Sequence, residues 1–568
     1  MYQELIEKIN PKPHFNLTWY KDEDLYSEGE IEDIIIGMIA ENKPEDYTQA
    51  IFDKYSWSTF YHLTHIRKNI LNWYNFDKNS SVLEIGCGMG AITNMLCEKC
   101  ADVTAVELSR KRATATLLRC RDKENLEIIV GNLNDIKFQK KYDYITLIGV
   151  LEYQGSYTES DNPYKDFLKK IKELLKPNGK LLIAIENQYG LKYWCGARED
   201  HTGIPFEGIN QYRISNKKVR TFSKEALRKL INESGFENTY FYYPMPDYKL
   251  PEVIYSEDYL PRNANMDNMC YYYVPDASTL VAGEGRIYHD IIQNNCFEFF
   301  ANSFLVECSN VNQDNSERIT FAKLSEMRMP EYRVGTRFVN NKTVERFTLG
   351  DVTGKRHLQQ MIINENDMKN HGVNVCESTV DGNKNVLDFV SDKLCEDIVL
   401  EAFGEEDFDK IYQVLDLVYA DILKSSDEVS WDKNILYSLN LQITPDREKY
   451  GPILKVGYLD MILRNAFWND GNIKWFDQEW TLENVPAGYI MYRLLVEFYL
   501  SYPELNDILP CQKVAEKYNI LCVWNDLERL NGLFTASVTD QKAIAEFVNF
   551  QKTSDADYLQ NIKKIMNL

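Results

Sequence analysis

The stretch "VLEIGCGMG", residues 82–90, decides the fold of the first half of this chain. Its apolar start is typical of a buried strand, and Gly86, Gly88 and Gly90 then stand at every second position. Glycines directly after a strand allow a tight turn and a close approach of the backbone to a ligand. The spacing is neither the G-x-G-x-x-G of dinucleotide-binding folds nor a P-loop, because no phosphate-binding lysine follows. The stretch therefore predicts a ligand-binding turn after a strand.

Similar apolar runs return along the first half and alternate with helical patterns. The runs cover residues 82–85, 103–106, 126–130, 144–148 and 180–185. A helical pattern at residues 223–234 and a strand-like stretch at 238–244 follow. Strands that alternate with helices pack into α/β domains with a mostly parallel sheet. The first half of the chain is therefore predicted to be such a domain.

Polar residues stand at the ends of these runs, where open α/β sheets bind their ligands. Glu84 belongs to the first run, and Glu107 ends the second. Asn132 follows the third run and Gly149 follows the fourth. A carboxylate such as Glu107 can accept two hydrogen bonds from a ribose diol, each worth about 1.5–3 kcal/mol. An amide such as Asn132 can hydrogen-bond an exocyclic amine, so a ligand with polar groups is predicted at these strand ends.

This order of motifs resembles the class I S-adenosylmethionine-dependent methyltransferases, over roughly residues 55–255. The resemblance implies a Rossmann-like seven-stranded sheet with the cofactor across the carboxyl ends of its strands. Glu84 would position the amino end of S-adenosylmethionine, Glu107 would hold the ribose and Asn132 would face the adenine. The implied cofactor-binding residues are Glu84, Gly86, Gly88, Gly90, Glu107, Asn132 and Gly149.

Residues 184–212 begin at the end of the fifth run, where such folds bind the methyl acceptor. The candidate acceptor residues in this segment are Glu186, Tyr189, Tyr193, Trp194, Arg198, Glu199, Asp200 and His201. Aromatic rings beside carboxylates suit a sugar, because rings stack on apolar faces while polar groups bind hydroxyls. His201 beside Asp200 is the candidate catalytic base for a hydroxyl acceptor. A phosphate acceptor would need no base and would favour Arg198, and a plain surface loop is the alternative to both.

Four stretches also resemble a subgroup of bacterial methyltransferases encoded among glycosyltransferases for surface polysaccharides. These are "WSTFYHLTHIRKNIL", "LIGVLEY", "ENQYGLKYWCGAREDHTG" and "YYPMPDYKLP". That resemblance implies a glycan or sugar-phosphate acceptor and a glycosyltransferase as a partner protein.

The second half carries a different motif, "YLDMILRNAFWNDGNIKWFDQEW", residues 458–480. It resembles the catalytic core of protein-kinase-like and aminoglycoside-phosphotransferase-like enzymes. The resemblance implies that Asp460 is a catalytic base and that Asn465 and Asp477 bind Mg²⁺ on the phosphates of ATP. "NDGN" suits the turn of a hairpin between Asn465 and Asp477.

The remaining parts of a kinase-like site are less regular. Lys323, in the strand-like "TFAKL", is the candidate ATP-binding lysine. No glycine-rich loop precedes it, and its partner glutamate is open among Glu326, Glu331 and Glu345. The alternatives are a hairpin with ordinary turn acids, or a kinase-like scaffold without catalysis that recruits a glycan or a glycosyltransferase.

Composition shifts divide the 568 residues into four predicted parts. They are an N-terminal extension at residues 1–50, a methyltransferase domain at 51–260, a linker at 261–290 and an α+β two-lobed kinase-like domain at 291–568. Strand-like runs early in the last part and helical patterns later suit two lobes.

Charge and cysteine usage limit the partners and the compartment. Lys and Arg number 64 against 86 Asp and Glu, a net charge of −22, so no nucleic-acid partner is expected. The start of the chain does not resemble a signal peptide, and no apolar run is long enough to predict a membrane span. Twelve scattered cysteines suit free thiols. A cytoplasmic protein is expected.

The function predicted from the sequence is transfer of a methyl group from S-adenosylmethionine to a sugar, or its phosphate, in a bacterial surface polysaccharide. Certain bacterial enzymes that terminate O-antigen polysaccharides join a methyltransferase to a kinase in the same order, which explains a kinase-like second domain. Methylation of a protein or of a small metabolite is the alternative.

Overall fold

The computed structural model divides into two compact units, which are described separately. Unit 1 comprises Met1–Leu324 and Gln541–Leu568, and unit 2 comprises Ser325–Asp540. The residues that the structure describes are 13–24, 27–43, 47–215, 218–262, 266, 269, 271–272, 277–311, 316–349, 354–439, 447–542 and 555–566.

The strands, in chain order, are β1 His14–Trp19, β2 Ser81–Ile85, β3 Asp102–Glu107, β4 Leu126–Gly131, β5 Tyr142–Ile148, β6 Leu175–Glu186, β7 Asn238–Met245, β8 Val253–Ser256, β9 Ser303–Ser309, β10 Ile319–Leu324, β11 Val334–Val339, β12 Thr343–Thr348, β13 Thr379–Asp381, β14 Lys384–Asp388, β15 Glu428–Val429, β16 Ile453–Tyr458, β17 Ala466–Asn469, β18 Asn472–Trp475 and β19 Thr481–Pro486.

The α-helices are α1 Ile31–Glu41, α2 Tyr47–Asp53, α3 Trp57–Leu63, α4 Asn69–Asn72, α5 Thr93–Lys99, α6 Arg110–Arg119, α7 Gln154–Tyr157, α8 Pro163–Leu174, α9 Leu191–Trp194, α10 Lys224–Glu233, α11 Glu284–Gln293, α12 Phe297–Phe300, α13 Gly354–Asn370, α14 Cys395–Gly404, α15 Phe408–Lys424, α16 Ile435–Ser438, α17 Ala487–Ser501, α18 Cys511–Lys517, α19 Trp524–Val538 and α20 Asp555–Ile565. Among the described residues, none of these helices combines the length and the apolar character needed to cross a membrane.

The sheet of unit 1 is built on parallel strands in the order β4-β3-β2-β5-β6. All five residues of β2 are buried, as expected for a central strand that is covered on both faces. The chain runs outward from β2 in both directions, so loops diverge at the carboxyl ends of β2 and β5. Such a switch point is where open α/β sheets bind ligands.

An antiparallel strand completes the seven-stranded core that the sequence predicts. β9 lies between β6 and β7 and pairs antiparallel with both. β1 adds to the sheet beside β4, and β8 and β10 extend it beyond β7. The Rossmann-like seven-stranded fold that the resemblance to class I methyltransferases implied is confirmed, with three further strands in the described part of unit 1.

The structure places the domain boundaries differently from the predictions. Residues 298–308 and 319–324, read as the first strands of a kinase-like domain, contribute β9 and β10 to unit 1. The apolar sequence of a strand does not indicate which sheet the strand joins. The end of the predicted linker forms part of α11 in unit 1, and the other end of that linker lies partly outside the described residues.

Both ends of the chain also belong to unit 1. The predicted N-terminal extension contributes β1, which pairs with β4, and α1, which packs on α6. At the other end, Asn561 of α20 donates hydrogen bonds to the carbonyls of Leu280 and Ala277 at 2.9 and 3.2 Å. Unit 2 therefore lies, in chain order, inside unit 1.

Unit 2 begins with an antiparallel sheet in the order β11-β12-β14-β13, next to which lies α13. Helices α14 to α19 follow, together with a three-stranded sheet of β15, β16 and β19. The predicted hairpin is present as β17 and β18, whose turn residues Asp470 and Gly471 both have positive φ. Strands first and helices later agree with the predicted α+β composition.

Candidate functional site

The turn after β2 needs glycine at two positions. Gly86 has φ of +76°, and a Cβ there would lie 2.5 Å from Cγ2 of Val150. Gly90 has φ of +79°, and its Cβ would lie 3.0 Å from the Cα of Thr116. Any side chain would be strained and would collide, so both glycines shape the turn. Gly88 lies between them, and its backbone N–H points toward the carboxylate of Glu107.

Glu107 at the end of β3 closes this turn. Its Oε2 accepts the N–H of Gly88 at 2.8 Å, and its Oε1 accepts the N–H of Ser109 at 3.0 Å. The side chain is buried, and burial raises the pKa of this carboxyl. A carboxylate has about four acceptor positions, so each oxygen can accept one further bond, as a ribose diol requires. The geometry fits the predicted role.

Glu84 lies near the carboxyl end of β2, beside β3, and its side chain is buried. Its Oε2 accepts the hydroxyl of Thr93 at 2.6 Å, and burial raises the pKa of the carboxyl to about 7. A carboxyl held in this way gains from a cationic ligand, which would favour its charged form. The ammonium of the methionine part of the cofactor is such a cation.

One cavity of about 370 Å³ adjoins the strand ends of unit 1, a size within the range of small-molecule sites. Its lining includes Glu84, Gly86, Gly88, Glu107, Asn132, Gly149, Asp200 and His201. Gly90 is not part of the lining, and its contribution is to allow the tight turn after β2. The side-chain oxygen of Asn132 accepts the N–H of Asn134 at 2.9 Å, which orients the amide.

The far end of the cavity is formed by the loops after β5, β6 and β7. His201 lies there between three carboxylates. Its Nε2 is 3.7 Å from Oε1 of Glu152 and 3.8 Å from Oε2 of Glu186. Its Nδ1 is 2.9 Å from Oε1 of Glu199. Burial favours the neutral imidazole, but these carboxylates, led by Glu186, raise the pKa of His201 well above its usual value.

Lysines compensate part of this negative charge. Asp200 pairs with Lys192 at 2.9 Å and with Lys249 at 3.1 Å. Burial opposes its ionisation, but the two lysines hold the pKa of Asp200 well below its usual range. Lys192 also pairs with Asp247 at 2.8 Å. Asp200 is therefore a charged partner of two lysines.

The aromatic residues at this end are not the predicted ones. Trp57 and Tyr61 of α3 stack with ring centroids 5.7 Å apart and line the cavity, as does Tyr153. Of the predicted residues, Trp194 is 46% exposed, and Tyr189 stacks on Phe299 outside the lining. Two of these rings come from a helix upstream of the glycine turn, and Tyr153 comes from the segment after β5.

The segment that supplies most of the cavity lining is similar to a known family of domains. The family model described as "Methyltransferase domain" matches residues 58–240. This segment is a methyltransferase domain. It is of the S-adenosylmethionine-dependent type, in agreement with the strand order and with the residues at the strand ends.

The names of the curated relatives describe methyltransferases with different acceptors. A malonyl-[acyl-carrier protein] O-methyltransferase of Priestia megaterium is 28% identical over 22% of this chain and 42% of its own length. A ubiquinone biosynthesis O-methyltransferase of Pelagibacter ubique is 26% identical over 22% of this chain and 52% of its own. The chain thus spans about half the length of these curated relatives.

Solved structures of methyltransferases are similar to the same part. The N-methyltransferase NodS of Bradyrhizobium japonicum, in complex with S-adenosylhomocysteine, is 12% identical. The match covers 44% of this chain and 86% of that one, with a TM-score of 0.24.

In unit 2, Asp460 is engaged by the backbone. Its Oδ2 accepts the N–H groups of Glu479 and Trp480 at 2.9 and 3.0 Å. Burial raises the pKa of this carboxyl to about 7. Asn465, the predicted Mg²⁺ ligand five residues later, donates its side-chain N–H to the carbonyl of Asp460 at 3.2 Å. These contacts hold the loop that carries both residues.

Asp477, the other predicted Mg²⁺ ligand, has an internal partner. It follows β18 with φ of +58°, and its Oδ1 lies 2.9 Å from Nη2 of Arg346 on β12. The Arg346 side chain is buried, and its Nε and Nη1 have no hydrogen-bond partner. The charge of Arg346 also lowers the pKa of Glu365 on α13, although burial raises that pKa overall.

Lys323, the candidate ATP-binding lysine, belongs to unit 1. It is an exposed residue of β10 in unit 1, where it pairs in register with Val253 of β8. Within unit 2, the charged residue Arg346 reaches Asp477. The sequence prediction considered a lysine and did not consider this arginine. Asp460, Asn465 and Asp477 stay together in unit 2, as the motif predicted.

Sequence reasoning missed Glu152, Lys249 and Arg346. Glu152 stands in "LIGVLEY", directly after Gly149, so its closeness to a predicted strand end was a usable signal. Lys249 comes from a proline-rich loop more than 60 residues downstream of Glu186, which it contacts, and no local pattern links the two.

Proposed function

We propose that this chain is an S-adenosylmethionine-dependent O-methyltransferase whose acceptor is a hydroxyl of a sugar in a bacterial surface polysaccharide. The observation that carries the proposal is one cavity with two different ends. Glu84 and Glu107 stand at the end that fits the cofactor, while His201 and Glu152 stand at the other. A methyl donor and an acceptor would meet between them.

Charge at the acceptor end favours a neutral acceptor over an anionic one. The ion-paired groups there include five carboxylates but three cationic groups, which are Lys192, Lys249 and His201 with its raised pKa. The carboxylates belong to Glu152, Glu186, Glu199, Asp200 and Asp247. A phosphate would enter a region that is already negative, which costs Coulomb energy. Arg198, predicted to serve a phosphate, does not line the cavity. We therefore favour a hydroxyl.

The mixture of rings and polar groups supports a sugar. Trp57, Tyr61 and Tyr153 offer apolar ring faces, and the charged groups beside them can bind several hydroxyls. The net charge of −22 disfavours a nucleic-acid acceptor. The free thiols of the described cysteines support the proposed cytoplasmic location. A glycosyltransferase that supplies the glycan is the proposed partner protein.

The chemistry needs alignment more than activation. The acceptor oxygen forms a bond to the methyl carbon, the sulfonium sulfur keeps the electron pair of the broken C–S bond, and the hydroxyl proton leaves. Correct alignment in such reactions supplies about 7–11 kcal/mol. The chain's contribution is to hold both partners and to stabilise the acceptor oxygen at the His201 end.

The test is transfer of label from methyl-labelled S-adenosylmethionine. Purified protein is incubated with a cell-wall glycan extract, a protein extract or a small-metabolite fraction from the source organism. We expect label in glycan that is released only by glycoside cleavage. Label in protein or small metabolites alone would contradict the sugar acceptor, and failure to bind S-adenosylhomocysteine would contradict methyl transfer itself.

We propose, as a second function, that unit 2 is a kinase-like scaffold that recruits a glycan or a glycosyltransferase without phosphoryl transfer. The ion pair between Arg346 and Asp477 supports this, because it occupies a carboxylate that would otherwise hold Mg²⁺. The backbone bonds to Asp460 support it as well. An active kinase with ATP and Mg²⁺ is the rival.

Thermal unfolding with added ATP and Mg²⁺ separates the scaffold from the kinase. The scaffold predicts no shift in the unfolding temperature and unchanged glycan methylation in Asp477→Ala. A kinase predicts a Mg²⁺-dependent shift that Asp477→Ala removes. S-adenosylhomocysteine, added to the same samples, should raise the unfolding temperature in either case and shows that the protein is folded.

A further inference from the structure

Three side chains at the acceptor end have the arrangement of metal ligands. Glu152, Glu186 and His201 each offer one ligand atom, and these atoms lie within 4.8 Å of one another. Nε2 of His201 is 3.7 Å from Glu152 and 3.8 Å from Glu186. Two ligands bonded to one ion at about 2.1 Å are about 3 Å apart at right angles and about 4.2 Å apart in line. Both distances from Nε2 of His201 to the carboxylate oxygens fall between these limits.

Two carboxylate oxygens in this group are buried without a partner. Oε2 of Glu152 and Oε2 of Glu186 accept no hydrogen bond, and both residues are at most 1% exposed. Buried polar atoms are nearly always satisfied, and an unsatisfied one in a native site calls for an unseen ion or water. Glu186 uses its other oxygen for Tyr248 and Lys249, so Oε2 is the atom left for a ligand.

The ring of His201 is oriented as in metal sites. Its Nδ1 lies 2.9 Å from Oε1 of Glu199, which leaves Nε2 directed at Glu152 and Glu186. Glu199 is itself fixed by the N–H groups of His201 and Thr202 at 2.9 and 2.7 Å. A histidine that binds a metal through one nitrogen almost always donates the other N–H to a carboxylate or carbonyl. Glu199 supplies that carboxylate.

The charge balance of the group also calls for a cation. Five carboxylates and two lysines are linked by the ion pairs described above, which leaves three negative charges when His201 is neutral. Buried charges are costly unless they are paired or coordinate a metal. One divalent ion would compensate two of the three.

We propose that Glu152, Glu186 and His201 bind a divalent metal ion. Two carboxylates suit Mg²⁺ and Mn²⁺, and the imidazole favours Mn²⁺ over Mg²⁺, so Mn²⁺ is the best match. All three residues line the cavity, so a bound ion would be accessible to a ligand there. Resting on the proposed function, the acceptor hydroxyl is that ligand.

The ion gives the acceptor end a definite chemical task. A hydroxyl bound to a divalent ion loses its proton more easily, because the ion stabilises the alkoxide. The proton passes to water, and the alkoxide oxygen then forms its bond to the methyl carbon as the C–S bond breaks. His201 in this arrangement holds the ion and is not the base.

Binding of Mn²⁺ alone tests the site. Full-length protein without a polyhistidine tag is freed of metal with a chelator, saturated with S-adenosylhomocysteine and titrated with Mn²⁺, with free Mn²⁺ measured by electron paramagnetic resonance. We expect one Mn²⁺ site in the wild type. Its affinity for Mn²⁺ should fall at least about tenfold in Glu186→Gln, which alters a ligand. It should fall about 10–100-fold in Glu199→Gln, which alters the carboxylate that orients His201.

Glu207→Gln is the matched control. Glu207 is a fully buried glutamate of the same segment, and its Oε2 also has no hydrogen-bond partner, but it is not one of the three ligands. It should bind Mn²⁺ like the wild type. Equal Mn²⁺ binding by wild type and Glu186→Gln would overturn the proposal, as would a wild type that binds S-adenosylhomocysteine but no Mn²⁺.

A second measurement serves if the variants do not fold. Electron spin echo modulation of Mn²⁺ bound to the wild type should show coupling to an imidazole nitrogen, and its absence would overturn the assignment. Calorimetry with S-adenosylhomocysteine keeps the two proposals distinct. Loss of Mn²⁺ binding alone contradicts the metal site, whereas loss of S-adenosylhomocysteine binding contradicts the proposed function.

Discussion

Glu107 in unit 1 and Asp460 in unit 2 resemble each other locally and differ in what surrounds them. Each is a buried carboxylate at a motif position, and each accepts two backbone N–H groups. Glu107 uses one bond on each oxygen and lines a cavity of about 370 Å³. Asp460 accepts both bonds on one oxygen, and its neighbour Asp477 pairs with Arg346.

The difference shows that the neighbours of a carboxylate decide whether a ligand can use it. Around Glu107 the partners are backbone amides, which leave acceptor capacity for a ribose. Beside Asp460, a buried guanidinium takes up the charge that a metal ion would need. Four predictions test this contrast, beginning with the one of largest expected effect.

His201→Ala should lower the rate of methyl transfer by about 10²–10⁴-fold, because it removes the ring between Glu152 and Glu186 at the acceptor. Affinity for S-adenosylhomocysteine should stay within about threefold, because the cofactor end is untouched. Single-turnover transfer of label measures the first and calorimetry the second. His289→Ala, an exposed histidine of α11, is the control. An unchanged rate would mean that the acceptor is activated elsewhere.

Asp477→Ala should destabilise unit 2 by about 3 kcal/mol, because it leaves the buried guanidinium of Arg346 without its counter-charge. The double variant Arg346→Met with Asp477→Ala should regain most of that loss. Urea unfolding followed by tryptophan fluorescence measures both.

Glu497→Ala provides the comparison for that loss. It breaks the surface pair of Arg464 and Glu497, whose side chains are 47% and 37% exposed, and should cost less than about 1 kcal/mol. If Asp477→Ala keeps its stability but no longer binds ATP and Mg²⁺, Asp477 is a metal ligand. That result would contradict the claim that the carboxylates of the two units differ in their availability to a ligand.

Glu107→Ala should weaken S-adenosylhomocysteine binding by about 10- to 150-fold, equivalent to about 1.5–3 kcal/mol for a lost charge-assisted hydrogen bond. Calorimetry measures the affinity. Glu98→Ala, a largely exposed change on the adjacent helix, should leave it unchanged. Equal affinities in the two variants would show that Glu107 only holds the turn.

Glu84 should make cofactor binding depend on pH. Its pKa of about 7 means that the carboxyl is mostly protonated at pH 6 and mostly ionised at pH 8. The ionised form attracts the ammonium of the ligand, so affinity for S-adenosylhomocysteine should rise about tenfold over this interval. Calorimetry at both pH values, in buffers of different ionisation enthalpy, measures the affinity and the released proton.

Glu84→Gln should bind with no such dependence on pH. The sign for stability is opposite. Because the pKa in the folded protein lies above the unfolded value of 4.5, Glu84 favours the fold of the free protein at low pH, and this contribution is lost as pH rises from about 4.5 to 7. A pH-independent affinity of the wild type would show that Glu84 does not meet the ammonium.

The parallel strands and the cofactor end were predictable because their signals are local. A strand run, the glycine turn and Glu107 lie within 26 residues, and parallel strands bring their ends to one edge of a sheet. The identity of β9 was not predictable, because an apolar run does not say which sheet it enters. It joins between β6 and β7 through pairings across more than 60 residues.

The acceptor end and unit 2 were less predictable because they depend on partners distant in sequence. Glu152 comes from the segment after β5, Glu186 from the end of β6 and His201 from the loop after β6, and only His201 was proposed for catalysis. In unit 2 the sequence offered Lys323 as an ATP-binding lysine and gave no signal for the arginine that pairs with Asp477. Arg346 and Asp477 are 131 residues apart, and their contact follows from the fold alone.

The return of α20 to unit 1 has a consequence for synthesis on the ribosome. The carbonyls of Ala277 and Leu280 receive their hydrogen bonds from Asn561, which is translated only after the whole of Ser325–Asp540. Unit 2 can fold while unit 1 still waits for its last helix. The cavity-bearing unit is then completed only after unit 2 has been made, although its parallel strands are made before unit 2.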